Sequence, residues 1–344
     1  MQGRYLGRVS VSRACGGVFR DHRRVTDSLR RPAQHADATP GSVAVVLNPN
    51  RLDDPDALRE RIAERLDGAG WPEPTWLETT AEDPGTGQAR QAASDGAEVV
   101  LVCGGDGTVR AAVQGLAGTA AALGVLPGGT GNLLAGNLGI PSDLDGALDV
   151  VLSGDRCRID VGEVADDGAP GAEAGERTAF VVMAGIGLDA AIMDDAPTRL
   201  KNAAGPVAYV VAAIKHLFDD ELRVEIVVDD GEPLRRHVRT VVVGNVGRLQ
   251  GALELLPDAE ADSGVLEVAV LAPRNAWHWL HLLAGVALRR RHVPRRELLR
   301  GSHVVVRAAR AERRQVDGDV IEPSATLDVT VRPAALRVCV PCGC

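Results

Sequence analysis

The sequence predicts two domains: an α/β domain built on a mainly parallel sheet, then a strand-rich domain. Three observations carry that expectation. From Val43 to about residue 156, short apolar runs alternate with helical patterns. Two Gly-rich strings, Gly104-Gly105-Asp106-Gly107-Thr108 and Pro127-Gly128-Gly129-Thr130-Gly131-Asn132, each follow such a run directly. Beyond about residue 156 the pattern changes to β-like runs separated by turns. A length of 344 residues suits two domains of ordinary size.

Val43–Leu47 is the first strand, ending at Asn48-Pro49-Asn50. Asp53 to Leu66 reads as a helix because Leu58, Ile62 and Leu66 recur every four residues. Trp76–Thr80 follows as a strand and Gly87–Ser94 as a helix. Glu98–Cys103 is a buried strand, since Val99, Val100, Leu101 and Val102 are apolar without a break. An Ala-rich helix, Val109–Leu116, leaves the first Gly string, and the strand Leu123–Leu126 leads into the second. Further on, Thr178–Met183, Arg223–Val228, Arg239–Gly244, Val265–Leu271, His303–Val306 and Thr326–Val331 read as strands. Helices are expected within Pro206–Leu217 and Ala276–Arg289, and a loose loop over Asp166–Gly175.

Composition narrows the function. Aromatics are 3% of the chain, so the cores must be built from Ala, Val, Leu and Ile. The net charge of -9 argues against nucleic-acid binding, which needs a basic face. Residues 1–41 are the exception: eight Arg against three Asp give +5, leaving -14 for the rest. That segment lacks apolar periodicity and reads as a disordered basic leader. No run reaches the roughly 18 apolar residues of a membrane span, and no secretory signal is expected. The six Cys (15, 103, 157, 339, 342 and 344) form no zinc pattern and read as reduced thiols.

The Gly strings carry the chemistry. Glycines let the backbone approach a ligand closely, and N–H groups at a helix N-terminus attract phosphate. Gly104, Gly105, Asp106, Gly107, Thr108, Val109 and Arg110 therefore form a candidate phosphate loop, with Gly129, Thr130 and Asn132 lining the same crevice. Asp106 is placed to hold Mg2+ on the phosphates or to position the attacking hydroxyl, and Thr108 to bond a phosphate oxygen. Neither string is a Walker P-loop or a Rossmann fingerprint.

GGDGT followed by PGGTGN at this spacing resembles the diacylglycerol kinase catalytic family, which includes sphingosine and ceramide kinases. The likeness extends in order through Asn48-Pro49, Thr79-Thr80-Ala81-Glu82, Ala184-Gly185-Ile186-Gly187-Leu188-Asp189-Ala190, Lys201–Tyr209, Gly244-Asn245, Leu256–Leu266 and Val316-Asp317-Gly318-Asp319. It spans roughly Val43 to Val340. The resemblance implies an NAD kinase/diacylglycerol kinase-like fold with a C-terminal β-sandwich-like domain. Its expected boundaries are an α/β ATP-binding domain over 42–156, rejoined by 324–344, and a lipid-substrate domain over 157–323. It further implies ATP and Mg2+ as cofactors, with Asn48, Thr80, the stretch Gly105–Ala111 and Thr130 toward ATP. Asp319 falls where the family's Asp-Gly-Glu supplies the proton acceptor, here one methylene shorter. A structural Mg2+ of the second domain maps onto Glu260, Ser263 and Val265, with Ser263 in place of Asp and Asp262 adjacent. Gly136 stands where the family usually carries Arg.

With only two lysines, Lys201 and Lys215, charge neutralisation on ATP falls to Mg2+, Arg110 and backbone N–H groups. The implied activity is phosphoryl transfer from ATP to a lipid hydroxyl, diacylglycerol first, by an Arg-rich bacterial enzyme. Its expected location is cytoplasmic, peripheral on the inner face of the membrane. Trp277-His278-Trp279-Leu280 with Arg289-Arg290-Arg291-His292 combines interfacial aromatics with basic residues, against the plainer reading of a core helix with a solvated end. A homodimer is left open. Two other readings stand beside the lipid kinase: a soluble NAD-kinase-like enzyme sharing GGDGT, and an inactive homologue that binds lipid or nucleotide. Hydrolase chemistry has no support, because no G-x-S-x-G string occurs.

Overall fold

A computed structural model describes residues 34–35, 39–51, 54–165, 177–187, 221–247, 254–288, 290 and 293–342. The expectations on residues 1–33, the 166–175 loop, Leu188–Ala190, the Pro206–Leu217 helix, Lys201, Lys215, Arg289, Arg291 and His292 lie outside them.

The chain opens with β1 (Gln34–His35), β2 (Val43–Leu47) and α1 (Pro55–Gly68). The helix begins later than its apolar period suggests because Pro55 pre-sets its first turn. Asp54 caps it, Oδ1 accepting from the Ala57 N–H at 3.0 Å. Then come β3 (Thr75–Glu78), α2 (Thr86–Ser94), β4 (Val99–Gly104), α3 (Asp106–Leu116), β5 (Ala122–Pro127), α4 (Leu133–Leu138) and α5 (Leu144–Ser153). Strands β2 and β4 are buried along their whole length, as continuous apolar runs in a parallel sheet should be. Each such Val or Leu contributes about 1.5–3 kcal/mol on burial. Parallel pairing gives the order β3-β2-β4-β5.

The second half contains β6 (Asp155–Ala165), β7 (Arg177–Phe180), β8 (Met183–Gly187), β9 (Leu222–Val228), β10 (Leu234–Val238), β11 (Thr240–Gly244), β12 (Leu266–Leu271), α6 (Ala276–Ala287), β13 (Arg296–Gly301), β14 (His303–Val316) and β15 (Asp319–Val340). Pairing here is antiparallel, and β14 belongs to two layers. It pairs β9 through Val304–Ala308 and β8 through Arg314–Val316, with register shifts between Arg307 and Arg314. Apolar residues of β8, β9, β11, β12, β14 and β15 form one buried core between the layers. The 22-residue β15 leaves β14, runs along β6, and ends parallel to β5 at Arg337 and Val338. The fold is thus an N-terminal α/β unit with mostly parallel strands and a C-terminal β-rich unit, joined by that last strand.

The expected strand Thr178–Met183 is interrupted. The backbone bends at Val181 and Val182, and the amides there point to a buried carboxylate instead of a neighbouring strand. Strands β6, β10 and β13 and helix α5 escaped the sequence reading; β10 and β13 carry several Arg, which hides their apolar alternation. Cys157 is disulfide-bonded, which corrects the expectation of six reduced thiols. Among the described residues no helix is long and apolar enough to cross a membrane.

Candidate active site

Chain direction sets the position of the crevice. From β2 the chain passes through α1 to β3 on one side; from β4 it passes through α3 to β5 on the other. The carboxyl ends of β2 and β4 therefore flank a topological switch point, where an open α/β sheet accepts a ligand. Asn48 at the end of β2 bridges it: Nδ2 donates to Thr108 Oγ1 at 3.2 Å, and its backbone N–H donates to Cys103 O at 3.1 Å.

The two Gly strings form one floor. The Gly128 N–H donates to Gly104 O at 3.0 Å. A Cβ on Gly129 would lie 2.7 Å from the Gly105 Cα, and one on Gly104 would lie 2.7 Å from the Thr108 Cβ. Only glycines permit that approach. Asp106 ties the loops together, Oδ1 accepting from the Leu133 N–H at 2.6 Å. Asn132 sits at φ 46° and closes on its own loop: Nδ2 donates to Gly129 O at 2.8 Å, and Oδ1 accepts from the Gly129 N–H at 3.1 Å. Its side chain shapes the loop instead of reaching out. Thr130 is exposed at the rim. Thr80, also exposed, accepts from the Asp83 N–H at 3.0 Å through Oγ1 just beyond β3.

The second unit contributes a hairpin tip. Asp317 and Gly318, at φ 48° and 89°, form the two-residue turn between β14 and β15, both left-handed as a type I′ turn requires. The Gly318 N–H donates to Gln315 Oε1 at 2.8 Å. The turn places Asp319 over the first Gly loop, its Oδ2 within 3.4 Å of where a Gly107 Cβ would stand. The plain hairpin reading of Asp317-Gly318-Asp319 and the functional one are thus compatible, because the hairpin delivers the carboxylate. Arg110 holds Asp319 Oδ2, through Nε at 3.1 Å and Nη2 at 3.0 Å, and leaves Oδ1 on a half-exposed side chain. The cation expected on ATP is thus engaged with the acid.

Sequence reasoning missed two residues here. Asp317 is buried, and its carboxylate accepts from the Val181, Val182 and Met183 N–H groups at 2.9, 2.9 and 2.8 Å. Burial pushes it up to about 6, against the pull of those amides and of Arg110. Gln114 joins α3 to β7, donating to Arg177 O at 3.0 Å and accepting from the Ala179 N–H. Asp106, Arg110 and Gln114 are four residues apart, so one face of α3 meets the second unit, and that spacing was a readable signal. Burial also pushes the Asp106 carboxyl up; the Leu133 and Asn132 amides oppose this, and the charge of Asp319 adds to it. Asp106, Val109, Arg110, Leu133, Leu134, Val181, Val182 and Asp317 line one small pocket.

Residues 42–164 match the diacylglycerol kinase catalytic domain, and residues 181–340 match the YegS C-terminal NAD kinase beta sandwich-like domain. The chain belongs to the diacylglycerol kinase catalytic family. A diacylglycerol kinase of Staphylococcus aureus (strain JH9) is 28% identical over 234 residues, 67% of this chain and 68% of the relative. A crystal structure of a diacylglycerol kinase from Bacillus anthracis str. Sterne shares the fold at TM-score 0.71 and 19% identity, covering 89% of this chain and 98% of that one. Yeast NADH kinase complexed with NADH aligns at TM-score 0.50 and 13% identity, covering 90% and 89%.

The diacylglycerol kinase resemblance implied a structural Mg2+ at Glu260, Ser263, Val265 and Asp262; Ser263 supplies a hydroxyl where that site would have a carboxylate, a weaker ligand for Mg2+. Ser263 Oγ donates to Val265 O at 3.0 Å, and the Ser263 N–H donates to Glu260 O at 3.2 Å, so both carbonyls are engaged within the loop. The buried Asp160 has both oxygens taken, by the Gly264 N–H at 2.6 Å and the Ala334 N–H at 2.8 Å. Among the described residues no three His, Cys, Asp or Glu converge on a metal position. A hydroxyl in place of a carboxylate lets the loop close on itself. Gly136, where the resemblance implied an Arg, faces open space, with nothing within 4 Å of its Cβ position.

Proposed function

We propose that this kinase transfers the γ-phosphate of ATP to a lipid hydroxyl, with diacylglycerol, giving phosphatidic acid, as the first acceptor. The observation that carries the reading is Asp319, delivered by the I′ turn onto the Gly104–Thr108 loop and held by Arg110 through one oxygen only. The amides at the start of α3 and the packed Gly floor bind phosphate without side-chain charge. Asp319 Oδ1 accepts the proton of the acceptor hydroxyl as the new P–O bond forms. Asp317 positions that acid by pinning the hairpin to Val181–Met183. Asp106 is the residue that would hold a divalent cation, whose charge would neutralise the phosphates and offset the repulsion between Asp106 and Asp319. A lipid acceptor implies work at a bilayer surface, by peripheral association.

The fold likeness to yeast NADH kinase supports a second reading, transfer to a dinucleotide hydroxyl. One assay separates them: radioactive phosphate transfer from ATP with Mg2+ to mixed-micelle lipids and to NAD(H), for wild type and Asp319→Ala. Labelled phosphatidic acid that disappears in the variant supports the proposal. Label on another lipid changes the acceptor, label on the dinucleotide selects the second reading, and ATP binding with no label anywhere overturns both.

A further inference from the structure

Helix α6 turns one apolar side inward and another outward. Leu282 and Val286 are buried, Gly285 packs tightly on Val293, and Trp279 packs against the same large core as Leu282 and Val286. On the other side Trp277, Leu280 and Leu288 are 63%, 55% and 65% exposed, most of the exposed large apolar residues of the described chain. Helical spacing sets Trp277, Leu280, His281, Ala284 and Leu288 within about 100° of arc, so the exposure is one continuous stripe. His281 stacks edge-on against Trp277, with ring centroids 4.7 Å apart. A core helix has no use for such a stripe.

Charge decides what covers it. Arg274 stands exposed before the N-cap Asn275 and pairs with Glu221 at 3.8 Å; Arg290 and Arg295 stand exposed beyond the other end. Cations therefore flank the stripe at both ends, on a chain whose net charge is -9. A second copy packed antiparallel along α6 would set Arg274 of one chain beside Arg290 of the other, like against like. Anionic headgroups accept both ends while the aromatic and aliphatic side chains enter the interface.

We propose that the outer face of α6 docks on an anionic lipid bilayer, through Trp277, Leu280 and Leu288 with Arg274 and Arg290. It deepens the lipid-kinase reading and rests on it only for its purpose, since docking is measured without catalysis. The experiment is co-sedimentation of the full chain with vesicles of phosphatidylcholine, and of phosphatidylcholine with phosphatidylglycerol. Wild type is expected to bind the anionic vesicles. Trp277→Ser with Leu280→Ser should weaken that binding at least about tenfold, and Arg290→Glu about fivefold or more. These side chains are exposed, so thermal melts should be unchanged. Equal binding by the variants overturns the proposal, and so does equal binding of wild type to neutral vesicles. A wild-type dimer in sedimentation velocity that the double variant converts to monomer without lipid also overturns it, in favour of a chain–chain interface. Vesicle binding lost on substitution, in a chain that phosphorylates no lipid, keeps the docking face and removes the kinase reading.

Discussion

Asp317→Asn separates a buried charge from the hydrogen bonds it makes. The carboxyl titrates from an ordinary value of 3.8 to about 6 in the fold, with burial as the first cause. The folded value is the higher one, so the native state holds the proton more tightly than the unfolded chain. The stability this group supplies is full below 3.8 and is lost as pH rises through 6. That gap corresponds to about 3 kcal/mol. Asparagine does not titrate, and Asn-Gly suits the I′ turn. Its Oδ1 keeps the Val182 and Met183 amides, while its Nδ2 meets the Val181 N–H donor to donor. That mismatch costs about 1–3 kcal/mol at every pH. The wild type should therefore be the more stable at about pH 4, and its advantage should shrink by about 3 kcal/mol by about pH 7. Urea denaturation of both proteins across that range, followed by circular dichroism, measures the difference. Asp106, Asp160 and Glu267, whose carboxyls burial also raises, are common to both and cancel. Parallel profiles, constant within about 1 kcal/mol, would refute the reasoning.

Asp319→Ala should lower phosphoryl transfer about a hundredfold to ten-thousandfold. Its half-exposed pairing with Arg110 makes the stability change less than about 1 kcal/mol; transfer assays and melts on one preparation check both. Gly129→Ala forces a methyl against the Gly105 backbone and should weaken ATP binding at least about tenfold; titration with a fluorescent ATP analogue reads this, and Gly136→Ala, in open space, should leave binding unchanged. Chelation should move the wild-type melting temperature less than that of Ser263→Asp because Ser263 closes its own loop. Ser263→Asp removes that donor and should lose about 1–3 kcal/mol without Mg2+, partly restored by Mg2+; equal Mg2+ dependence of the wild-type and variant melts would count against the closed loop.

Local pattern was enough for the α/β unit. Apolar runs of five or six residues bounded by turn signals fit buried strands, and Gly strings at their ends fit tight loops, so β2, β4, β5 and the Gly104–Thr108 floor were readable one by one. Motif order was enough for the family, and the resemblance of Asp317-Gly318-Asp319 to the family's Asp-Gly-Glu was enough to nominate an acid. What local pattern does not encode is which distant groups meet. Asp319 touches the α3 loop only because β15 folds back through 22 residues from one unit to the other. Arg110 is a solvated helix residue until that hairpin arrives, and Asp317 is a turn residue until three amides converge on it. The cation loop turned on whether Ser263 would leave its neighbours' carbonyls open or bond them, a matter of angstroms. The outward face of α6 was likewise undecided, since a stripe of Trp and Leu has the same sequence whether it faces a core or a bilayer. Periodicity records which residues share a face; only the tertiary packing decides what that face meets.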